Sequence, residues 1–78
     1  MPRVAERVAA SVRAEMARRK ISQATVARHL GMSQPAVYRR LAGVVPFDVN
    51  ELQAVADLLE VPTSTLLADE PTAAAVTS

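Results

Sequence analysis

The sequence predicts an all-α protein, a compact five-helix bundle. Three observations carry that expectation. Apolar residues recur four apart, as Val4, Val8, Val12 and Met16 do, rather than alternating. Helix-starting residues (Ser22, Ser33, Asp48) stand ahead of the apolar segments, and helix-ending ones (Gly31, Gly43, Val61-Pro62) stand behind them. Half of the 78 residues are apolar and many of these are alanine, which suits close helix packing around one modest core.

The first helix is expected over 3–19, with Val4, Val8, Val12 and Met16 joined by Ala5 and Ala9 as its buried stripe. Glu15 can pair with Arg18 or Arg19, worth roughly a few tenths of a kcal/mol. Arg18-Arg19-Lys20 closes the helix, where cations complement its dipole. Ser22 caps a second helix over 23–30. Ala27 is small in its middle, so another helix can cross closely, and Gly31 takes the left-handed turn that ends it.

Ser33 caps the third helix, expected over 34–42 with Gly43 after it. Pro35 falls at the second helical position, where a missing N–H does no harm, so the Ser33 hydroxyl is left to cap Ala36. Val37 and Leu41 face inward, Val37 against Val26 and Leu30. Gln34, Pro35, Tyr38 and Arg39 face outward. Asp48-Val-Asn-Glu51 is a capping box for a fourth helix over 49–60, with Leu52, Val55, Ala56 and Leu59 as its stripe. Phe47 plugs the core ahead of it, and Asp57 and Glu60 face solvent. A short fifth helix over 63–68 carries Leu66 and Leu67. The folded domain is expected over 1–68. Residues 69–78, DEPTAAAVTS, lack periodicity and are expected to form a flexible tail. There is no internal repeat.

A small residue at 27, glycine four later and an aliphatic six after that make a helix-turn-helix pattern centred on Gln23 to Ala42. Ile21-Ser22-Gln23, Val26-Ala27, Leu30-Gly31-Met32-Ser33, Val37, Gly43, Leu52, Ala56, Leu58-Leu59 and Leu66-Leu67 together resemble the Cro/repressor (XRE-like) type of helix-turn-helix regulator over roughly residues 4–68. Any one element is weak, whereas the ordered set is specific. The resemblance implies a lambda-repressor-like fold that binds duplex DNA of defined sequence. In that family a glutamine at the position of Gln23 touches a DNA phosphate and braces the start of the recognition helix; a generic polar surface residue would look the same here. Two departures stand out. Arg40 occupies a position that is usually aliphatic, so its stem can pack while its head reaches phosphate or solvent. The loop after the third helix is Val44-Val45-Pro46, without the cations common there. The arginine and glutamate that some relatives pair across the first and third helices correspond here to Met16 and Leu41.

On this reading the outward set Gln34, Pro35, Tyr38 and Arg39 reads base edges. Glutamine pairs with adenine, arginine with guanine, and apolar carbons touch thymine methyl. Tyr38 could instead cover the neighbouring helix, and Arg39 and Arg40 could be ordinary solvated groups. Gln23, Arg28, Ser33 and Arg40 are the expected phosphate contacts, and Arg18-Arg19-Lys20 serves either the helix dipole or DNA. Leu66 and Leu67 cannot both face inward easily on so short a helix, so they are expected at a homodimer interface, formed at least on a palindromic operator.

Charge points the same way. All nine basic residues lie in 1–43 against Glu6 and Glu15, a local charge of +7, while 44–78 holds six acids and no base, −6. Such polarity gives one polyanion-attracting face. With no cysteine, neither a disulfide nor a thiolate metal site can form. His29 has no partner at metal-ligand spacing and is expected as a solvated surface residue. No metal, cofactor or small-molecule effector is expected. One histidine, no glycine-rich phosphate loop and no convergent carboxylate pair argue against catalysis. No apolar run approaches the roughly 20 residues of a membrane span, and no secretory leader is evident, so a cytoplasmic protein is expected.

The expected function is transcriptional regulation by a small Cro-like phage or prophage repressor that occupies an operator. The rival, from another class, is an antitoxin or adaptor that uses the same fold to hold a protein partner.

Overall fold

The structure, a computed structural model, describes residues 3–68. The expected flexible tail at 69–78 lies outside the described residues. Five helices follow in order: α1 (Val4–Arg19), α2 (Gln23–Leu30), α3 (Gln34–Leu41), α4 (Val49–Leu59) and α5 (Thr63–Leu67). The all-α, five-helix expectation is borne out, with boundaries within one residue of those read from the sequence.

The caps show why the helices start and stop there. The Ser22 hydroxyl accepts the Thr25 N–H at 3.1 Å, and the Ser33 hydroxyl accepts that of Ala36 at 3.2 Å, the only donor Pro35 leaves convenient. Asp48 Oδ1 accepts the Glu51 N–H at 2.7 Å while Glu51 Oε1 accepts the Asp48 N–H at 3.0 Å, a reciprocal capping box. Gly31 ends α2 at φ +67°, with open space where a Cβ would stand. Gly43 has φ +79°, and there a Cβ would lie 3.1 Å from Glu6 Cγ and 3.2 Å from Glu6 Cα. Gly43 is therefore set by both its backbone conformation and a close approach to α1.

The core draws on every helix: Val8, Val12 and Met16 of α1, Val26 and Ala27 of α2, Val37 and Leu41 of α3, Val55, Ala56 and Leu59 of α4, and Leu66 of α5. Phe47 and Leu52 pack half-buried against it. α1 is the common support, packed on α3, α4 and α5, while α2 packs on α3 and α4. Met16 and Leu41 both fall in this core, an apolar pair that avoids the desolvation cost of a buried ion pair.

Three particulars differ from expectation. Val4 is 58 % exposed, because the core reaches only as far as Val8 at that end of α1. Glu15 is buried and accepts from Arg18 at 2.5 Å and also from Arg19, a three-residue cluster rather than a single pair. Leu66 is wholly buried while Leu67 stays 49 % exposed. The five-residue helix turns only one of the two inward, and it is Leu66 that fills the space between α1 and α4.

Candidate nucleic-acid interface

α3 rests on the rest of the domain through Val37 and Leu41, both buried. Helical geometry then sends Gln34, Pro35, Tyr38 and Arg39 outward, and all four are exposed, Tyr38 by 62 %. At that exposure most of Tyr38 lies open to solvent. The Arg39 side chain makes no hydrogen bond or ion pair among the described residues. Its guanidinium donors therefore all face solvent.

The start of α3 is tied to the start of α2. Gln23 Nε2 donates to the Gln34 carbonyl at 3.1 Å. This bond braces the first turn of α3 against the first turn of α2, the brace half of the role the resemblance implied for Gln23. Between the two helices lies a shallow cleft of about 410 Å³, bordered by Ala24, Arg28, Gly31, Met32, Ser33 and Gln34. Arg28 is exposed at its edge, and among the described residues its side chain reaches the Thr25 hydroxyl at 3.5 Å, a marginal bond. Ser33 lends its oxygen to the Ala36 N–H, and its hydroxyl proton remains available as a donor.

Arg40 departs from expectation. Its head turns neither to solvent nor outward along α3 but back onto α4. Nε donates to Glu51 Oε1 at 2.9 Å, Nη2 to Glu51 Oε2 at 3.3 Å, and Nη1 to the Ala36 carbonyl at 3.0 Å. The physical reason is position: residue 40 is half turned toward the protein, and an arginine there is best accommodated by a carboxylate that matches its fork. Glu51 is held below the usual glutamate range, first by its bonds from Arg40 and also by the Asp48 N–H, with partial burial opposing.

Other cations are also engaged within the fold. Arg13 of α1 donates to the Leu41 carbonyl at the C-terminal end of α3. Arg18 and Arg19 share Glu15. The basic half thus divides into cations that hold the fold and cations that face outward, of which Arg39, Arg28 and Lys20 are the clearest. Neither the Arg13 bond nor the Arg40–Glu51 pair was among the expectations drawn from the sequence. For Arg40 a signal existed: an arginine at a normally aliphatic position asks for a carboxylate, and Glu51 was already placed in the first turn of the next helix.

A second surface lies away from α3. Val4, Pro46, Phe47, Val49, Leu52 and Leu67 border an apolar groove of about 390 Å³ between α1, α4 and α5. Val49 is 84 % exposed at its rim. Of the leucine pair expected at an interface, only Leu67 reaches this surface; Leu66 cannot, because it lies in the core.

Among the described residues no helix is long and apolar enough to cross a membrane. A family model described as the BetR domain matches residues 3–77. No curated protein and no solved structure matches the chain.

Proposed function

The chain belongs to the BetR-domain family, a family of small helical domains of the DNA-binding, regulatory kind, and from that premise we propose that it is a sequence-specific duplex-DNA regulator. In this reading it acts as a small cytoplasmic repressor of the Cro-like phage or prophage type, by occupying an operator. The observation that carries the reading is the presentation of α3. Two buried residues anchor it, a hydrogen bond from Gln23 braces its first turn, and Gln34, Pro35, Tyr38 and Arg39 stand free on its outer face. A helix of this kind fits the major groove, and these side chains carry the donors, acceptors and apolar carbons that distinguish base pairs there. Gln23, Arg28 and Ser33 are proposed as the phosphate contacts that fix its register.

The proposed active form is a homodimer on a palindromic site, with recognition helices roughly 34 Å apart. The apolar groove bordered by Val4, Val49 and Leu67 is the surface for the second copy. It lies between α1, α4 and α5, so pairing there leaves α3 free.

The experiment is selection from a random duplex library, followed by titration of the winning sequence across salt. A dimer that neutralises about 3–5 phosphates per subunit gives a log–log slope of about −5 to −9. Enrichment of no sequence, or a nearly flat slope, removes the DNA reading and leaves the protein-interaction module as the better account.

A further inference from the structure

Three side chains hold α3 at fixed points. Gln23 of α2 holds its first turn. Arg13 of α1 donates to the carbonyl of Leu41 at its last residue. The third is Arg40, whose fork grips both oxygens of Glu51 at 2.9 and 3.3 Å while Nη1 reaches back to the Ala36 carbonyl at 3.0 Å. Glu51 cannot swing freely, because the same carboxylate accepts the Asp48 N–H and so belongs to the cap of α4. Both side chains are mostly buried, 19 % and 18 % exposed, where salt screens a charge pair less than at the surface.

The rest of the packing makes this fork matter. α3 packs closely on α1 and α2 and at most weakly on α4. An eight-residue helix also has little intrinsic stability, so its orientation comes from what holds it. Arg39, the outward cation, is the chain neighbour of Arg40. Its carbonyl in turn accepts the N–H groups of Val44 and Val45 at 3.0 and 3.3 Å. The backbone that carries Arg39 is therefore the backbone that the fork and the following loop fix.

We propose that Arg40 is a positioning residue for sequence readout: the Arg40–Glu51 fork sets the angle at which α3 presents Gln34 and Arg39, and Arg40 itself touches no phosphate. This rests on the reading of α3 as the DNA-facing helix. Hydrogen bonds to base edges weaken steeply with misalignment, so a small change of tilt costs discrimination before it costs general attraction to the backbone.

A phosphate contact and a positioning fork predict opposite results for Glu51→Gln. If Arg40 serves phosphate, losing an anion and releasing the arginine strengthens binding to every duplex and steepens the salt slope by about one unit. If the fork positions α3, glutamine supplies only one acceptor oxygen and no charge. Affinity for the selected operator then falls about tenfold, random duplex is bound as before, and preference at the base pair read by Arg39 fades. Arg40→Lys keeps the charge without the fork and gives the same pattern. A role confined to stability would lower the melting temperature and leave the operator-to-random ratio unchanged well below it. Amide hydrogen exchange on the free protein adds a readout that needs no DNA: Glu51→Gln speeds exchange across Val37 to Leu41 by more than at Val55 and Leu59, whose change follows global stability alone. An unchanged operator-to-random ratio in both variants overturns the proposal, as does stronger binding of Glu51→Gln to all duplexes. A wild type that selects no duplex removes the DNA reading and this proposal with it, and faster exchange in α3 would then mark the fork as a fold contact alone.

Discussion

Arg39 and Arg40 are neighbours in the chain with opposite employment. One turns its guanidinium to solvent with no partner among the described residues, and the other spends its fork on Glu51. Their difference is 100° of helix rotation, which separates the outer face of α3 from its flank. The residue-scale prediction concerns the outer face. Gln34 and Arg39 are five residues apart, about 7.5 Å along the axis, enough to reach different base pairs of one half-site. Arg39→Ala should weaken operator binding by about 1–3 kcal/mol and relax preference at one position, expected to be a guanine. Gln34→Ala should do the same at another, expected to be an adenine. Arg28→Ala should weaken all sequences alike and make the salt slope shallower by about one unit. The measurement is a binding series against operators changed one base pair at a time. Equal losses for Arg39→Ala on every operator would make Arg39 a backbone contact.

Two predictions belong to the helices and their junctions. Gly31 and Gly43 both have positive φ, but only Gly43 has the backbone of α1 behind it. Gly31→Ala should cost about 1–2 kcal/mol, the ordinary penalty of a side chain in the left-handed region. Gly43→Ala should cost more, because Glu6 Cα belongs to a helix and cannot give way as a flexible side chain would. Urea unfolding of the two variants tests the order, and equal costs would mean that α1 yields freely at Glu6. The junction of α3 and α4 gives a pH prediction. Glu51 is held below the ordinary glutamate value of about 4.3, chiefly by Arg40. A depressed carboxylate stabilises the fold fully above its unfolded value, and the contribution is lost as pH falls through the folded one. Glu51→Gln should therefore be less stable than the wild type by about 1–2 kcal/mol at pH 7. The gap should close as the pH drops from about 5 toward 3. Other carboxylates titrate in both proteins and cancel in the comparison. A gap that stays constant down to pH 3 would remove the ion pair as its cause.

At the scale of the whole molecule, the two surfaces lie on different sides of the bundle. α3 offers a polar, basic face supported by α1 and α2, and the groove between α1, α4 and α5 offers an apolar one. Leu67 borders that groove at 49 % exposure, so Leu67→Asp should abolish self-association and weaken operator binding while helicity and melting change little. Leu66→Ala is the contrasting variant. It opens a cavity in the core and should cost about 2–5 kcal/mol of stability. Sedimentation of both variants, free and on the operator, makes the test. A wild-type chain that stays monomeric on its operator would leave the groove without the role proposed for it.

What the sequence determined alone is what depends on residues within about four positions of one another. Helix starts follow from Ser22, Ser33 and Asp48, each bonding an N–H three residues on, and the turn after α2 follows from Gly31. The outward set on α3 follows from the spacing of Val37 and Leu41, because a helix has one period and two anchors define its face. What only the tertiary structure decided involves residues far apart in the chain. Arg40 meets Glu51 across 11 residues and Arg13 meets the Leu41 carbonyl across 28. Val4 lies outside the core though it continues the stripe of Val8 and Val12, and Leu66 rather than Leu67 turns inward. Each of these depends on which faces of separate helices come together and on where the core ends. Local propensity is the same for Leu66 and Leu67, and the same for Arg39 and Arg40. The environment that distinguishes them exists only once α1 and α4 have packed.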